Sequence, residues 1–154
     1  MSEDELRKEL QQISSELQQY DEFGKQIQIQ IERLQNYLID LTRSKGTLAG
    51  LKEEKNIEET LIPLGSGVML KAKPLETDKV FYSVGADVIV PKSIDEAIKD
   101  IDGRINEAEE QRINLADQLN QIISRISSLE QHAQGIYKQL QGPSKPQYDP
   151  NLVS

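Results

Sequence analysis

The fold of this chain is decided around residues 58–92, which read EETLIPLGSGVMLKAKPLETDKVFYSVGADVIVPK. Four short runs rich in β-branched and aromatic residues lie in this block, and Gly, Pro and Asp residues typical of turns separate them. The runs are 61–62, 68–72, 80–84 and 88–90. We therefore predict four strands that form two β-hairpins.

This block is too small to be stable alone. Val68, Leu70 and Ala72 fall on one face of their strand, and Lys71 and Lys73 fall on the other. About 35 residues in four short strands bury little apolar surface and leave sheet edges unpaired. We therefore expect other subunits to complete the sheet.

A hydrophobic heptad ladder lies on each side of this block. The first contains Leu6, Leu10, Ile13, Leu17, Tyr20, Ile27, Ile31, Leu34, Leu38, Leu41 and Leu48. The second contains Ile94, Ile98, Ile101, Ile105, Ala108, Leu115, Leu119, Ile122, Ile126, Leu129, Ala133, Ile136 and Leu140. Because steps of four and three residues keep one apolar stripe facing a partner helix, each flank is predicted to be a coiled-coil helix.

Capping residues indicate where these helices begin and end. The first is predicted to run from Ser2, as the N-cap, to about Lys55. The second is predicted to begin at Ser93, which forms a capping box with Glu96, and to end near Gly142.

The equal lengths of the flanks favour an antiparallel hairpin. If the chain doubles back, residues near Leu51 meet residues near Ile94, and Glu5 comes level with Leu140. Parallel self-association of each flank with other copies is the alternative.

Three residues interrupt the ladders. Gly24 weakens a helix interior and indicates either a local bend or a close approach of the helices. Lys45 and Arg112 are expected to lay their aliphatic stems along the seam, keep their charges in water and help to fix the register.

The predicted fold class is α+β: a long antiparallel coiled-coil hairpin whose two central β-hairpins join an intersubunit β-barrel. The predicted divisions are a helix at 1–57, the oligomerisation block at 58–92, a helix at 93–141 and a tail at 142–154. Pro143, Pro146 and Pro150 lie in this tail, which is predicted to be disordered.

Composition excludes several classes of function. Only 36% of the 154 residues are hydrophobic and tryptophan is absent, as expected for a narrow buried seam. A net charge of −8 disfavours a nucleic acid as partner. With no cysteine, no signal peptide and no run of about 18 apolar residues, the chain is expected to be cytoplasmic, with no disulfide and no membrane contact.

Catalytic constellations are not found in the sequence. His132 is the single histidine and falls beside the seam, where a solvated residue is expected. The glycines at Gly65 and Gly67 resemble a phosphate loop, but Leu70 stands where the third glycine of a dinucleotide motif belongs. We therefore predict a hairpin turn there, no enzymatic activity, and neither a metal nor another cofactor.

The free ends of the two helices are the candidate site for binding apolar clients. Helix ends fray, because their terminal backbone groups lack intrahelical partners, and fraying exposes seam residues. Several weak contacts from several arms would then hold a client by avidity. The residues concerned are Leu6, Leu10, Ile13, Leu17, Leu129, Ala133, Ile136, Tyr137 and Leu140. The alternative is that they only close the coiled coil.

Residues 62–98, which read IPLGSGVMLKAKPLETDKVFYSVGADVIVPKSIDEAI, resemble the prefoldin family, specifically its archaeal-type alpha class. The order of helix, two hairpins and helix is similar to that class over residues 1–141, whereas the beta class has one central hairpin. The resemblance implies a hexamer of two alpha and four beta subunits, with a double β-barrel body and coiled-coil tentacles.

The resemblance also implies an ATP-independent chaperone, a holdase that captures unfolded polypeptides at its coiled-coil tips and passes them to a group II chaperonin. It places the barrel role, and so oligomerisation, on Leu61, Ile62, Val68, Leu70, Val80, Tyr82, Val84, Val88 and Val90. Two other functions are weighed against this one. They are an adaptor that binds one folded partner, and a nucleic-acid-binding arm, which the acidic charge disfavours.

Overall fold

A computed structural model describes residues 2–54, 57–74, 76 and 78–142 of the chain. Helix α1 spans Glu3–Glu53 and helix α2 spans Ile94–Leu140. Between them lie strands β1 (Thr60–Gly65), β2 (Val68–Ala72), β3 (Lys79–Gly85) and β4 (Val88–Ser93). The predicted combination of two long helices and two β-hairpins is therefore confirmed. The predicted helix end at Lys55 and the tail from Pro143 onward lie outside the described residues.

Hydroxyl side chains cap both helices. The Ser2 Oγ accepts a hydrogen bond from the backbone N–H of Glu5 at 3.3 Å, and Glu5 Oε2 accepts one from the N–H of Ser2 at 3.0 Å. In α2, Ser93 Oγ accepts a hydrogen bond from the N–H of Glu96 at 3.2 Å. These bonds satisfy backbone donors that have no partner within the helix, and they confirm the predicted caps.

The chain divides into two compact units. The first unit contains the described residues up to Ile31 and those from Asn114 onward, all of them from the helical flanks. The second unit contains the described residues between Glu32 and Ile113, which include both hairpins.

The helices run antiparallel within the first unit. Glu9 pairs with His132 and Glu16 pairs with Arg125, so residue numbers rise on one helix as they fall on the other. The core of this unit consists of Leu6, Ile13, Leu129 and Ile136, with Leu10, Leu17, Tyr20, Ala133 and Leu140 packed against it. The seam predicted from the heptad ladders is confirmed here.

The second unit shows the same antiparallel arrangement. Lys45 Nζ lies 2.6 Å from Asp102 Oδ1, and Lys52 Nζ lies 2.6 Å from Asp95 Oδ1. Lys52 and Asp95 adjoin the residues predicted to meet where the chain doubles back. The buried residues of this unit are Leu38, Leu41, Ile94, Ala97, Ile101 and Ala108.

The three interruptions of the ladders have distinct structural roles. Gly24 is buried, and a Cβ at this position would lie 3.8 Å from side-chain atoms of Leu119 and Ile122, an ordinary van der Waals distance, so Gly24 faces the other helix with room for a methyl group. Lys45 is half-buried and carries its charge to Asp102, while Arg112 pairs with Glu109 one turn earlier on α2.

The two hairpins have the same geometry at an offset of twenty residues. Ile62 pairs with Leu70 in the first, and Tyr82 pairs with Val90 in the second. In both hairpins the register shifts immediately before the glycine that ends the leading strand. Such a shift marks a β-bulge, which strengthens the local twist.

The turns of the two hairpins also correspond. Ser66 and Gly67 have φ of 52° and 80°, and Ala86 and Asp87 have φ of 49° and 60°. Positive φ at both central positions is what a two-residue type I′ turn requires. The predicted tight turn at Gly65 to Gly67 is therefore confirmed.

Candidate functional site

All nine residues predicted to bind clients lie in the first unit, and eight of them pack into its seam. The four core residues Leu6, Ile13, Leu129 and Ile136 are only 3–7% exposed, and Leu10, Leu17, Ala133 and Leu140 are half-buried against them. Tyr137 is the exception, because 57% of it is exposed. Eight of these residues thus form one apolar seam, whose four core residues become accessible only where the helices separate.

Two polar side-chain pairs cross between the helices beside this core. Glu9 Oε1 lies 3.1 Å from His132 Nε2, and Glu16 Oε2 lies 3.6 Å from Arg125 Nη2. His132 is exposed, as predicted, although its pairing with Glu9 was not foreseen. An exposed ion pair such as that of Glu16 with Arg125 contributes about 0.2–1 kcal/mol. The two pairs help to fix the register of the helix ends without locking them together.

The first turn of α1 carries a further exposed ion pair. The guanidinium of Arg7 donates hydrogen bonds to Glu3 Oε1 from Nη2 at 2.6 Å and from Nε at 3.2 Å. The hydrogen bond and the negative charge of Glu3 raise the pKa of Arg7.

The first hairpin exposes apolar side chains on both of its faces. Leu61, Ile62, Leu64, Val68, Met69 and Leu70 are 43–62% exposed. Four of them, Leu61, Ile62, Val68 and Leu70, are predicted oligomerisation residues. A two-stranded sheet with this much exposed apolar surface is marginally stable by itself.

The second hairpin presents one face to helices of its own chain. Val80 and Tyr82 are half-buried and line a recess together with Leu48, Ala97 and Ile101. Val90, which pairs with Tyr82, is half-buried too. Of the predicted oligomerisation residues in this hairpin, these three are thus partly covered within the chain, whereas Val84 and Val88 are 53% and 50% exposed.

Phe81 and Ile89 are exposed residues of the second hairpin that the sequence interpretation missed. Phe81 is 77% exposed and Ile89 is 62% exposed. They alternate along their strands with the half-buried Val80, Tyr82 and Val90, so they lie on the opposite face. The sequence signal that could have revealed this face is the aromatic residue Phe81, which stands between the apolar residues Val80 and Tyr82.

The ring of Tyr82 lies on the face of the second hairpin that packs against helices of its own chain, and it contacts two cations there. Lys92 Nζ lies 4.8 Å from the ring centroid and Arg104 Cζ lies 4.6 Å from it. Lys92 also pairs with Asp100, so β3, β4 and α2 all contribute to one cluster. The Tyr82 hydroxyl is buried with no hydrogen-bond partner among the described residues, so the ring rather than the hydroxyl makes the attractive contacts.

Among the described residues, no cluster of three or more potential metal-binding side chains is found. None of the helices described is long and apolar enough to cross a membrane.

Known proteins match this chain over most of its length. A family model described as Prefoldin subunit matches residues 20–139, which contain both hairpins and most of both helices. Prefoldin subunit alpha of Methanococcus aeolicus is 33% identical over 102 residues, covering 66% of this chain and 69% of that protein. Prefoldin subunit alpha of Methanococcoides burtonii is 36% identical over 115 residues, covering 75% and 81%.

A solved structure has a similar fold. The cryo-EM structure of filamentous PFD from Methanocaldococcus jannaschii superposes with a TM-score of 0.67 at 26% sequence identity, covering 75% of this chain and 96% of that chain. Together with the sequence matches, it confirms the resemblance that residues 62–98 carry.

Proposed function

Since this chain belongs to the prefoldin subunit family, we propose that it is the alpha subunit of an ATP-independent holdase that captures unfolded polypeptides in the cytoplasm. Like the other members of its family, it is a chaperone subunit and not an enzyme. The match of the helix, hairpins and helix to one family over residues 20–139 is the observation that carries the proposal.

The hairpins are proposed to join other prefoldin subunits, giving two alpha and four beta chains around a β-barrel body. The exposed apolar residues of the first hairpin and the outer pair Phe81 and Ile89 support this role. Burying one leucine-sized side chain contributes about 1.5–3 kcal/mol, so pairing with other hairpins would stabilise both partners.

Unfolded polypeptides are proposed to bind at the helix ends, through the nine residues of the first unit that were predicted for this role. Eight of them pack in the seam, so binding there requires local separation of the helices. Terminal turns open at the smallest free-energy cost, because they have the fewest backbone hydrogen bonds and packing partners. The bound polypeptide would then pass to a group II chaperonin.

An aggregation assay tests this proposal. The chain is reconstituted with companion beta subunits and mixed with several unrelated proteins that aggregate on heating. A holdase suppresses the light scattering of all of them without ATP. Protection of one folded partner alone would identify an adaptor instead and refute the proposal.

A further inference from the structure

The second hairpin is held against the helices of its own chain along both strands. The backbone N–H of Ile94, at the start of α2, donates a hydrogen bond to the carbonyl oxygen of Asp78, just before β3, at 3.3 Å. Tyr82 of β3 lines a recess with residues of α1 and α2. Lys92 of β4 pairs with Asp100 of α2. Separating this hairpin from the helices would therefore break contacts at its start, its middle and its end.

The first hairpin lacks such support among the residues that the structure describes. Within those residues, no hydrogen bond or ion pair joins β1 or β2 to a helix or to the second hairpin. The ion pair of Lys71 Nζ with Glu59 Oε1, at 3.1 Å, stays within the hairpin segment. Six apolar side chains of this hairpin are 43–62% exposed, and only Thr60 and Ala72, which pair at its base, are half-buried. Its strands therefore contact mainly each other.

Exposure of this extent leaves the first hairpin without the main stabilising contribution to folding. Fixing the backbone dihedral angles costs conformational entropy at every residue. A backbone hydrogen bond offsets little of that cost, because it replaces hydrogen bonds to water. Burial of apolar surface supplies the difference in a folded domain, and a hairpin that buries little is marginally stable. The second hairpin gains this burial from the helices, whereas the first does not.

The turns do not compensate for this difference between the hairpins. Both have a residue other than glycine at the first central position, namely Ser66, with φ of 52°, and Ala86, with φ of 49°. Asn, Asp and Gly are the residues that favour this position of a type I′ turn. Neither turn therefore strongly favours its own hairpin, and support from the helices is what distinguishes the two.

Given the proposed assembly role of the hairpins, we propose that the second hairpin is folded in the unassembled chain, whereas the first hairpin folds only when it pairs with a partner subunit. A partner would bury the apolar side chains that residues 60–72 leave exposed, and so supply the missing stabilisation. Folding and binding are then coupled at the first hairpin, where the cost of ordering the chain offsets part of the binding free energy. The second hairpin binds as a preformed surface and carries no such cost.

Hydrogen exchange followed by mass spectrometry tests this difference on the full-length chain. The chain is measured alone, at a dilution where sedimentation velocity shows single subunits, and after assembly with companion beta subunits. In the free chain we expect residues 79–93 to exchange at least about tenfold more slowly than residues 60–72, because opening the second hairpin breaks its contacts with the helices. In the complex, both hairpins should be protected.

Two matched substitutions at the turns test the coupling between folding and binding. Asn at the first central position stabilises a type I′ turn. Ser66→Asn should slow the exchange of residues 60–72 in the free chain and lower the dissociation constant for immobilised beta subunits about threefold, because less ordering remains for the binding step. Ala86→Asn should leave that constant unchanged, since the second hairpin has the same conformation before and after assembly. Biolayer interferometry measures both constants.

Three results would overturn the coupling. They are equal protection of both hairpins in the free chain, equal tightening by the two substitutions, and tightening by Ser66→Asn without slower exchange, which would show a direct contact of the turn with the partner. If the chain forms no complex with beta subunits at all, the proposed assembly role fails as well. If the complex forms and both hairpins are equally protected beforehand, the assembly role stands and only the coupling is refuted.

Discussion

Gly24 is a glycine in a helix interior at a position where a small side chain would fit. It lies in the seam of the first unit, where a Cβ would meet Leu119 and Ile122 at 3.8 Å, an ordinary van der Waals distance. Glycine in a helix interior costs about 1 kcal/mol relative to alanine. The site therefore has room for the methyl group that would remove this cost.

Replacing Gly24 with alanine should stabilise the chain by about 1 kcal/mol or slightly more, because the methyl group adds interhelix contacts to the gain in helix propensity. Urea unfolding followed by circular dichroism measures the change. Gly135→Ala is the matched control, since no atom lies within 4 Å of a Cβ there and only propensity changes. A loss of stability in Gly24→Ala alone would show that the seam is too tight for a methyl group.

At the scale of elements, the second hairpin is attached to α2 whereas the first is exposed along both strands. Tyr82 makes this attachment, with Lys92 and Arg104 on its ring. Each such cation–π contact is worth about 0.5–1 kcal/mol at partly exposed sites. The buried hydroxyl opposes the attachment, because it has lost water without gaining a partner among the described residues.

Two substitutions at Tyr82 separate the contributions of ring and hydroxyl. Tyr82→Phe should keep or raise the free energy of unfolding, by up to about 1 kcal/mol, since it removes an unsatisfied hydroxyl. Tyr82→Leu should lower it by about 1–2 kcal/mol, because both cations lose the ring. Chemical denaturation of the purified variants gives these values. If Tyr82→Phe were as destabilising as Tyr82→Leu, the hydroxyl would have an essential hydrogen bond.

Local sequence predicts where the helices and strands lie, but it does not predict which face of the second hairpin packs against the helices. Heptad spacing, the caps at Ser2 and Ser93 and the two turns are short-range signals, and the structure agrees with each. In β3 and β4 both alternating sets of positions contain apolar and polar residues, so alternation alone does not tell which set meets the helices.

The outer face of the second hairpin leads to a prediction about assembly. Phe81→Ser should weaken association with partner subunits, since burial of the ring would no longer stabilise the complex. It should leave the secondary structure of the chain unchanged, because Phe81 is 77% exposed. Sedimentation velocity measures the assembly, and Tyr37→Ser serves as the exposed aromatic control. An unchanged sedimentation profile would remove Phe81 from the interface.

For the whole molecule, assembly and client capture are expected to be separable, because the hairpins and the predicted client-binding residues belong to different compact units. Within the part of the chain that the structure describes, the first unit contains only helical flanks and the second contains all four strands. A change confined to the first unit therefore leaves the proposed assembly surfaces in place.

Deleting residues 1–10 and 136–154 of this chain should leave its assembly with the beta subunits intact, with the mass lowered only by the residues removed from the two alpha chains, while weakening protection of aggregating proteins. The deletion removes Leu6, Leu10, Ile136, Tyr137 and Leu140, which are five of the predicted client-binding residues. Native mass spectrometry reports the assembly, and light scattering reports the protection. Undiminished protection would show that the helix ends are not the capture site.

One hairpin geometry repeats at an offset of twenty residues, so the proposed assembly role would give the chain two attachment points. A unit with two attachment points can be a link in a ring or in an open polymer, and the angle between successive links decides which forms. Small changes at the hairpins, rather than a new fold, would then be enough to convert a closed particle into a fibre.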